Sequence, residues 1–290
     1  MKAVVVGGGA WGSAFATLLT ERGHDVTAAL RSTIDEAPYE EADLVVMAVP
    51  SSSFRQALGH VRGQAPILSL VKGLDPESGE RLSTLVSGRP VAVLSGPTMA
   101  EEVAAGLPGA AVIASDDESL VLFLQEAITS TAFRVYTNHD LIGVELCAAA
   151  KNVIGLAAGG VDGLRLGDNA KAAIVTRGLA EMARLGEASG AQQETFSGLA
   201  GLGDLVVTCW HPSGRNRRAG ELIARGATPD EAKAEIGQVV EGLTTAPVLR
   251  DLSHRLGVEL PITEGVCAVL GGLPLHELFA TLMGRRPTDE

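Results

Sequence analysis

The chain has 290 residues, 46% of them hydrophobic and 20% charged, with a formal net charge of -12. Its length fits two ordinary domains of roughly 150 residues each, and the composition is that of a compact globular protein rather than a disordered one. The acidic balance argues against non-specific binding to nucleic acid or to a membrane surface.

Residues 3–6 (AVVV) form a continuous apolar run ending at Gly7-Gly8-Gly9, the pattern of a strand buried on both faces. The segment 12–21 reads as a helix and 26–30 as a second strand. Further buried runs fall at 44–49 (LVVMAV), 67–71 (ILSLV), 91–94 and 111–113, with short helical stretches between several of them. Strands alternating with helices predict an α/β fold with a doubly wound, mostly parallel sheet. The texture changes after Tyr136; from Asp140 onward no strand run stands out, and helices are expected over 141–158, 171–189, 218–225, 229–236, 244–256 and 264–270. Asn138 or Asp140 can cap the first of these. A boundary near residue 138 divides the chain into a dinucleotide-binding domain, 1–138, and an all-helical substrate-binding and catalytic domain, 139–290. The final residues, 285–290, read as a frayed end.

Three dispersed cysteines, Cys147, Cys209 and Cys267, form no CxxC pair, and the histidines form no HExxH. They read as reduced thiols, and no metal site is expected. Three glycines interrupt the apolar start, and no run reaches the roughly 18 residues of a membrane span. A cytoplasmic protein is expected.

Gly7-Gly8-Gly9-Ala10-Trp11-Gly12 is a GxGxxG placed after a strand and opening a helix. Gly7 permits the tight turn, Gly9 lets a pyrophosphate approach the backbone, and Gly12 lets the helix pack on the sheet. Where an NAD site usually carries Asp or Glu, this chain has Arg31-Ser32, which suits the 2′-phosphate of NADPH. Asp35 and Glu36 follow closely, so NADH stays as the alternative. Lys72 and Ser95-Gly96-Pro97-Thr98 each follow a buried strand, where ligands gather in open α/β sheets. Read alone, a lysine such as Lys72 is more often a surface residue.

In the second half, Lys151-Asn152 interrupts an alanine-rich helix, which is expensive unless the pair is partnered, functional or solvated. A glycine-rich loop, 198–203, brings backbone close to a ligand or another segment and presents Asp204. Gly214-Arg215-Asn216-Arg217-Arg218 then opens a helix, forming either a phosphate receptor or a solvated basic face.

The strings GGGAWGSAFA, SLVKGL, SGPTMAEEVAAGLP, GVELCAAAKNVIGLAAG, TFSGLAGLGDLVVTC, GRNRRAGE and GQVVEGLTT occur in order along the chain. Together they resemble the bacterial NAD(P)-dependent glycerol-3-phosphate dehydrogenase family. The resemblance implies a Rossmann-type N-terminal domain, a helical substrate domain and a homodimer. It also implies interconversion of dihydroxyacetone phosphate and sn-glycerol 3-phosphate for phospholipid synthesis. By matching position, Lys151 would be the proton donor, and Lys72, Gly96, Thr98, Asp204, Gly214, Arg215 and Asn216 would bind substrate. Ala10, Trp11, Arg31, Ala100, Val239 and Glu241 would contact the cofactor, with Lys72 and Arg215 near both ligands.

The chain departs from the family in two places. Only 32–41 bridges the second strand and the ADLVV run, a stretch that is longer in the family. Gly214 stands where the family has serine, with Ser213 one place earlier, so a phosphate contact from that hydroxyl is either lost or replaced by the Gly214 backbone N–H. Rival readings with the same two-domain plan are a β-hydroxyacid or ketopantoate-type dehydrogenase and a non-catalytic NADPH-binding sensor.

Overall fold

The computed structural model describes residues 1–278, and the expected frayed end at 285–290 lies outside the described residues. The first half alternates strands and helices. Their order is β1 (Lys2–Val6), α1 (Ala10–Glu21), β2 (Asp25–Ala29), β3 (Leu44–Met47), α2 (Ser51–Leu58), β4 (Ile67–Ser69), β5 (Val91–Ser95), α3 (Ala100–Ala104), β6 (Gly109–Ala114), α4 (Glu118–Ile128) and β7 (Phe133–Asn138). The strands form one sheet in the order β2-β1-β3-β4-β5-β6-β7. All pairings are parallel except β5 with β6, which is antiparallel.

β7 was not anticipated. Along it Phe133 and Val135 are buried while Arg134 and Tyr136 face outward. This alternation marks the last strand of the sheet, and a search for continuous apolar runs misses it. Between β2 and β3 the chain makes only two short 3₁₀ turns, Ile34–Glu36 and Tyr39–Glu41.

From Leu141 onward the described residues are helical: α5 (Leu141–Gly163), α6 (Gly167–Ala188), α7 (Gln193–Ser197), α8 (Asp204–Trp210), α9 (Arg215–Ala224), α10 (Pro229–Ile236), α11 (Glu241–Leu256) and α12 (Pro261–Leu270). Asp140 caps α5, accepting from the Gly143 N–H at 2.8 Å. Several helices start or end a turn beyond the expected bounds. Helix α9 begins at Arg215 rather than at 218, which places Arg215 and Asn216 in its first turn.

Apolar cores lie on both sides of the sheet, one around Phe15 and Leu19, the other around Met47 and Phe54. A third core surrounds α5 and takes in Val93, Val112 and Ala114 from the sheet, so helix and sheet share one interior. Each fully buried Phe or Leu here contributes roughly 1.5–3 kcal/mol. Among the described residues α5 alone is long and apolar enough to cross a membrane, and 89% of that stretch is buried within the fold. Glu145 of α5 fastens the β4–β5 connection, accepting from Arg81 Nη1 at 2.8 Å and the Ser83 N–H at 2.9 Å. Burial pushes its carboxyl up, against the pull of Ser83 and Arg81. The helix carrying Lys151 is thereby tied to the β4–β5 connection, which also carries Lys72.

Candidate active site

The C-terminal end of β1 delivers Gly7, whose φ of +114° and whose approach to the Ala48 carbonyl leave no space for a side chain. The same turn then opens outward: a Cβ on Gly9 would meet nothing within 4 Å, in front of the N-terminus of α1. That helix end has no side-chain cap and no acidic residue in its first turn. Clear space before bare N–H groups at a positive helix end is what a pyrophosphate needs. Gly12 closes the motif, since a Cβ there would press on the Gly7 carbonyl oxygen at 2.4 Å. Trp11 stacks edge-on against Phe15 at 5.7 Å, and its buried Nε1 has no hydrogen-bond partner among the described residues. Such an orphaned donor beside the glycine turn also fits a ligand. Ala10 and Ala100 are the first residues of α1 and α3.

Arg31 lies just past β2, exposed, and its side chain makes no hydrogen bond or ion pair among the described residues. Of the two acidic residues that could intrude there, Asp35 is bonded to His60 Nδ1 at 2.7 Å, while Glu36 is exposed.

The centre of the site is a buried carboxylate between two ammonium groups. Asp204, 2% exposed, takes Lys151 Nζ on Oδ1 at 2.6 Å and Lys72 Nζ on Oδ2 at 2.7 Å. Three elements meet here: the segment after β4, the middle of α5, and the first turn of α8. Lys72 spends its other two donors on the Gly96 carbonyl at 3.0 Å and Thr98 Oγ1 at 3.2 Å. Lys151 gives its second to Thr208 Oγ1 at 2.9 Å. An ammonium has three donors, so Lys72 is saturated and Lys151 keeps one N–H in reserve.

Burial lowers the Lys151 ammonium to about 8; the nearby Lys72 charge adds to this and Asp204 opposes it. Burial alone would raise the Asp204 carboxyl, but the two ammonium groups outweigh it and hold it below its ordinary value. The arrangement therefore keeps a fixed anion beside a lysine that titrates near working pH.

A chain of amides runs outward from this centre. Asn152 Nδ2 donates to the Lys72 carbonyl at 2.7 Å, Asn216 Nδ2 donates to Asn152 Oδ1 at 2.8 Å, and the Gly242 N–H donates to Asn216 Oδ1 at 2.9 Å. Next to Asn216, Arg215 is exposed and places Nη1 on the Val239 carbonyl at 2.9 Å. The start of α9 has no side-chain cap. Glu241 accepts from the Ser51 N–H at 3.1 Å and from Ser51 Oγ at 2.6 Å, tying α11 to α2.

One alternative is narrowed and one expectation is corrected. The Gly214 N–H already donates to the His211 carbonyl at 3.0 Å, so it is not a free replacement for a serine hydroxyl. Ser213 is likewise engaged, its Oγ lying 2.9 Å from His211 Nδ1. Asp204 is presented by a helix, not a loop: 199–203 forms one wide π turn leading into α8. The glycines there approach the chain's own backbone, since a Cβ on Gly201 would lie 2.1 Å from the Phe196 carbonyl oxygen. Sequence reasoning also missed Thr208 and Ser51. Thr208 was findable, standing four residues after Asp204 and so on the same helical face.

Comparison with known proteins agrees with this architecture. Family models described as NAD-dependent glycerol-3-phosphate dehydrogenase N-terminus and C-terminus match residues 27–121 and 140–279. A glycerol-3-phosphate dehydrogenase [NAD(P)+] of Symbiobacterium thermophilum is 46% identical over 93% of this chain and 84% of its own length. One from Moorella thermoacetica is 40% identical over 99% of this chain and 96% of its own. The crystal structure of glycerol-3-phosphate dehydrogenase from Coxiella burnetii superposes with a TM-score of 0.91 at 34% identity, covering 98% of this chain and 99% of that one. With a glycine turn after β1 that leaves the start of α1 bare and a buried aspartate between two lysines, the chain belongs to the NAD-dependent glycerol-3-phosphate dehydrogenase family.

Proposed function

We propose that the protein interconverts dihydroxyacetone phosphate and sn-glycerol 3-phosphate, with NADPH as preferred coenzyme and Lys151 as proton donor and acceptor. The observation that carries this reading is the buried Lys151 ammonium, anchored by Asp204 and Thr208 with one N–H in reserve.

When bound, the nicotinamide supplies the hydride to the carbonyl carbon. Negative charge then develops on the carbonyl oxygen, where the free N–H of Lys151 stabilises it and passes its proton across. Asp204 holds Lys151 in place and balances both ammonium groups. Lys72, fixed by Gly96 and Thr98, lines the same polar floor. In the reverse direction, neutral Lys151 takes the hydroxyl proton as base.

The first turn of α9 would receive the phosphate. Its uncapped N–H groups, the remaining Arg215 donors and the Asn216 amide supply the grip, with Gly214 shaping the entry. On the coenzyme side Gly7, Gly9, Ala10, Trp11 and Gly12 would cradle the pyrophosphate, and Ala100, Val239 and Glu241 would line the nicotinamide half. Arg31, with its guanidinium unpaired and Asp35 drawn to His60, would take the 2′-phosphate. A homodimer in the cytoplasm feeding phospholipid synthesis is the setting that fits the family.

The reading is tested by following NADPH and NADH absorbance with dihydroxyacetone phosphate, unphosphorylated dihydroxyacetone and ketopantoate. Turnover dependent on the phosphate, faster with NADPH, is expected. Turnover on ketopantoate alone, or tight coenzyme binding with no turnover, would contradict it.

A further inference from the structure

The second basic residue of the Gly-Arg-Asn-Arg-Arg run does not point to solvent. Arg217 is only 13% exposed on its side chain and makes contacts in three directions. Its Nη1 lies 2.6 Å from Asp162 Oδ2, and Nε and Nη2 donate to the carbonyls of His211 and Pro212 at 3.2 and 3.1 Å. Those two carbonyls belong to the link between α8, which carries Asp204 and Thr208, and α9, which opens with Arg215 and Asn216. One guanidinium therefore sets the path of the link, and two carboxylates hold its Nη1: Asp162 of α5 at 2.6 Å and Glu221, one turn along α9 itself, at 3.2 Å, of which only Asp162 ties it to the helix of Lys151.

Asp162 is itself held on α5. It accepts from Lys171 Nζ of α6 at 3.0 and 2.7 Å on its two oxygens, and Lys171 Nζ also stands 5.2 Å from the centre of the Trp210 ring, the last residue of α8. Asp162 follows Lys151 by 162 − 151 = 11 residues on the same helix, about three turns at 3.6 residues each, so both project from the same face. The backbone makes the register unforgiving: a Cβ on Gly159 would lie 1.8 Å from the Arg217 carbonyl oxygen, and one on Gly220 would lie 1.9 Å from that of Leu156. Helix α9 is thus pressed against α5 with no slack, and Asp162 fixes its leading end relative to Lys151.

We infer that Asp162 is a positioning residue for the phosphate end of the substrate, acting through Arg217 and the 211–214 link without touching the ligand. This deepens the proposed function and rests on the first turn of α9 receiving a phosphate. The distance between phosphate and carbonyl is fixed within the substrate, so the receptor must sit at a set span from Lys151. Asp162 sets that span.

The test compares full-length wild type, Asp162→Asn and Arg217→Lys on dihydroxyacetone phosphate and on unphosphorylated dihydroxyacetone. Lysine keeps the charge facing Asp162 but, as a point charge, cannot bridge Asp162 and both carbonyls. For Asp162→Asn a fall of about tenfold to a hundredfold in kcat/KM is expected on the phosphorylated ketone, carried mainly by KM, with less than about twofold change on the unphosphorylated one. The KM for NADPH stays at the wild-type value. Arg217→Lys follows the same pattern, and decides the matter if Asp162→Asn does not fold. Equal losses on both ketones, or no loss on either, would overturn the inference by making the cluster purely structural. Wild type that fails to prefer the phosphorylated ketone would instead remove the proposed function, and this inference with it.

Discussion

The substrate centre and the adenosine side of the coenzyme site are built on opposite terms. Around Asp204 the charges are partnered, with Asp204 and Lys151 buried and Lys72 half-buried, and the hydrogen bonds of Lys72, Lys151, Asn152 and Asn216 interlock before any ligand arrives. Just beyond β2 the residues 30–33 are exposed, the connection to β3 is two short turns, and Arg31 has no partner among the described residues. The first region has spent its reorganisation in folding, which is how preorganised dipoles act most strongly on developing charge. The second is left to bind through a solvated guanidinium, where Coulomb attraction is weak and screened by salt. Substitutions should therefore cost orders of magnitude in one region and about one order in the other.

The largest effect is expected at Lys151. Lys151→Met removes the proton donor while keeping an apolar chain of similar length, and kcat is expected to fall by about 10³-fold, within the range for a positioned acid–base group. The steady-state rate of dihydroxyacetone phosphate reduction checks this, with coenzyme binding measured separately and expected to hold.

Next comes Asp204→Asn, which leaves two ammonium groups facing each other in a dry site. Breaking a buried pair in this way costs about 3–5 kcal/mol of stability, so thermal unfolding should register it as well as the rate. Asp204 is the group that holds the Lys151 proton on, and without it the ammonium titrates lower than about 8. The reductive pH profile of this variant should accordingly fail at lower pH than wild type.

The smallest effect separates the two regions most cleanly. Arg31→Ala is expected to lower kcat/KM for NADPH by about tenfold, or about 1.4 kcal/mol, with little change for NADH. The ratio should approach unity as ionic strength rises, because the contact is exposed. An unchanged NADPH to NADH ratio in this variant would remove Arg31 from coenzyme selection.

The same contrast explains what was legible in the sequence. AVVV followed by GGGAWG announces a buried strand, a turn and a helix because each residue type has one physical use there. Lys151-Asn152 stood out because an alanine-rich helix leaves a lysine few explanations. By contrast, β7 alternates Phe133, Arg134, Val135 and Tyr136 at the sheet edge, and its apolar content is half that of an inner strand. The 199–203 glycines look like a loop in sequence, yet they serve a tight π turn packed on Phe196. The difference between the two lysines was also invisible. Lys72 is saturated by Gly96, Thr98 and Asp204, whereas Lys151 is not, and only the fold brings those acceptors together.

The central claim is that Lys151, brought down to about 8 by burial, carries the proton. Reduction needs the ammonium form, so it is lost as pH rises through that value, while oxidation needs the neutral amine and gains there. The direct measurement is kcat/KM for dihydroxyacetone phosphate reduction against pH, in wild type and in Lys151→Arg, whose guanidinium stays charged throughout. Wild type should hold a plateau and then fall above about pH 8, and Lys151→Arg, though slow, should show no such fall. An identical alkaline limb in both proteins would contradict the assignment.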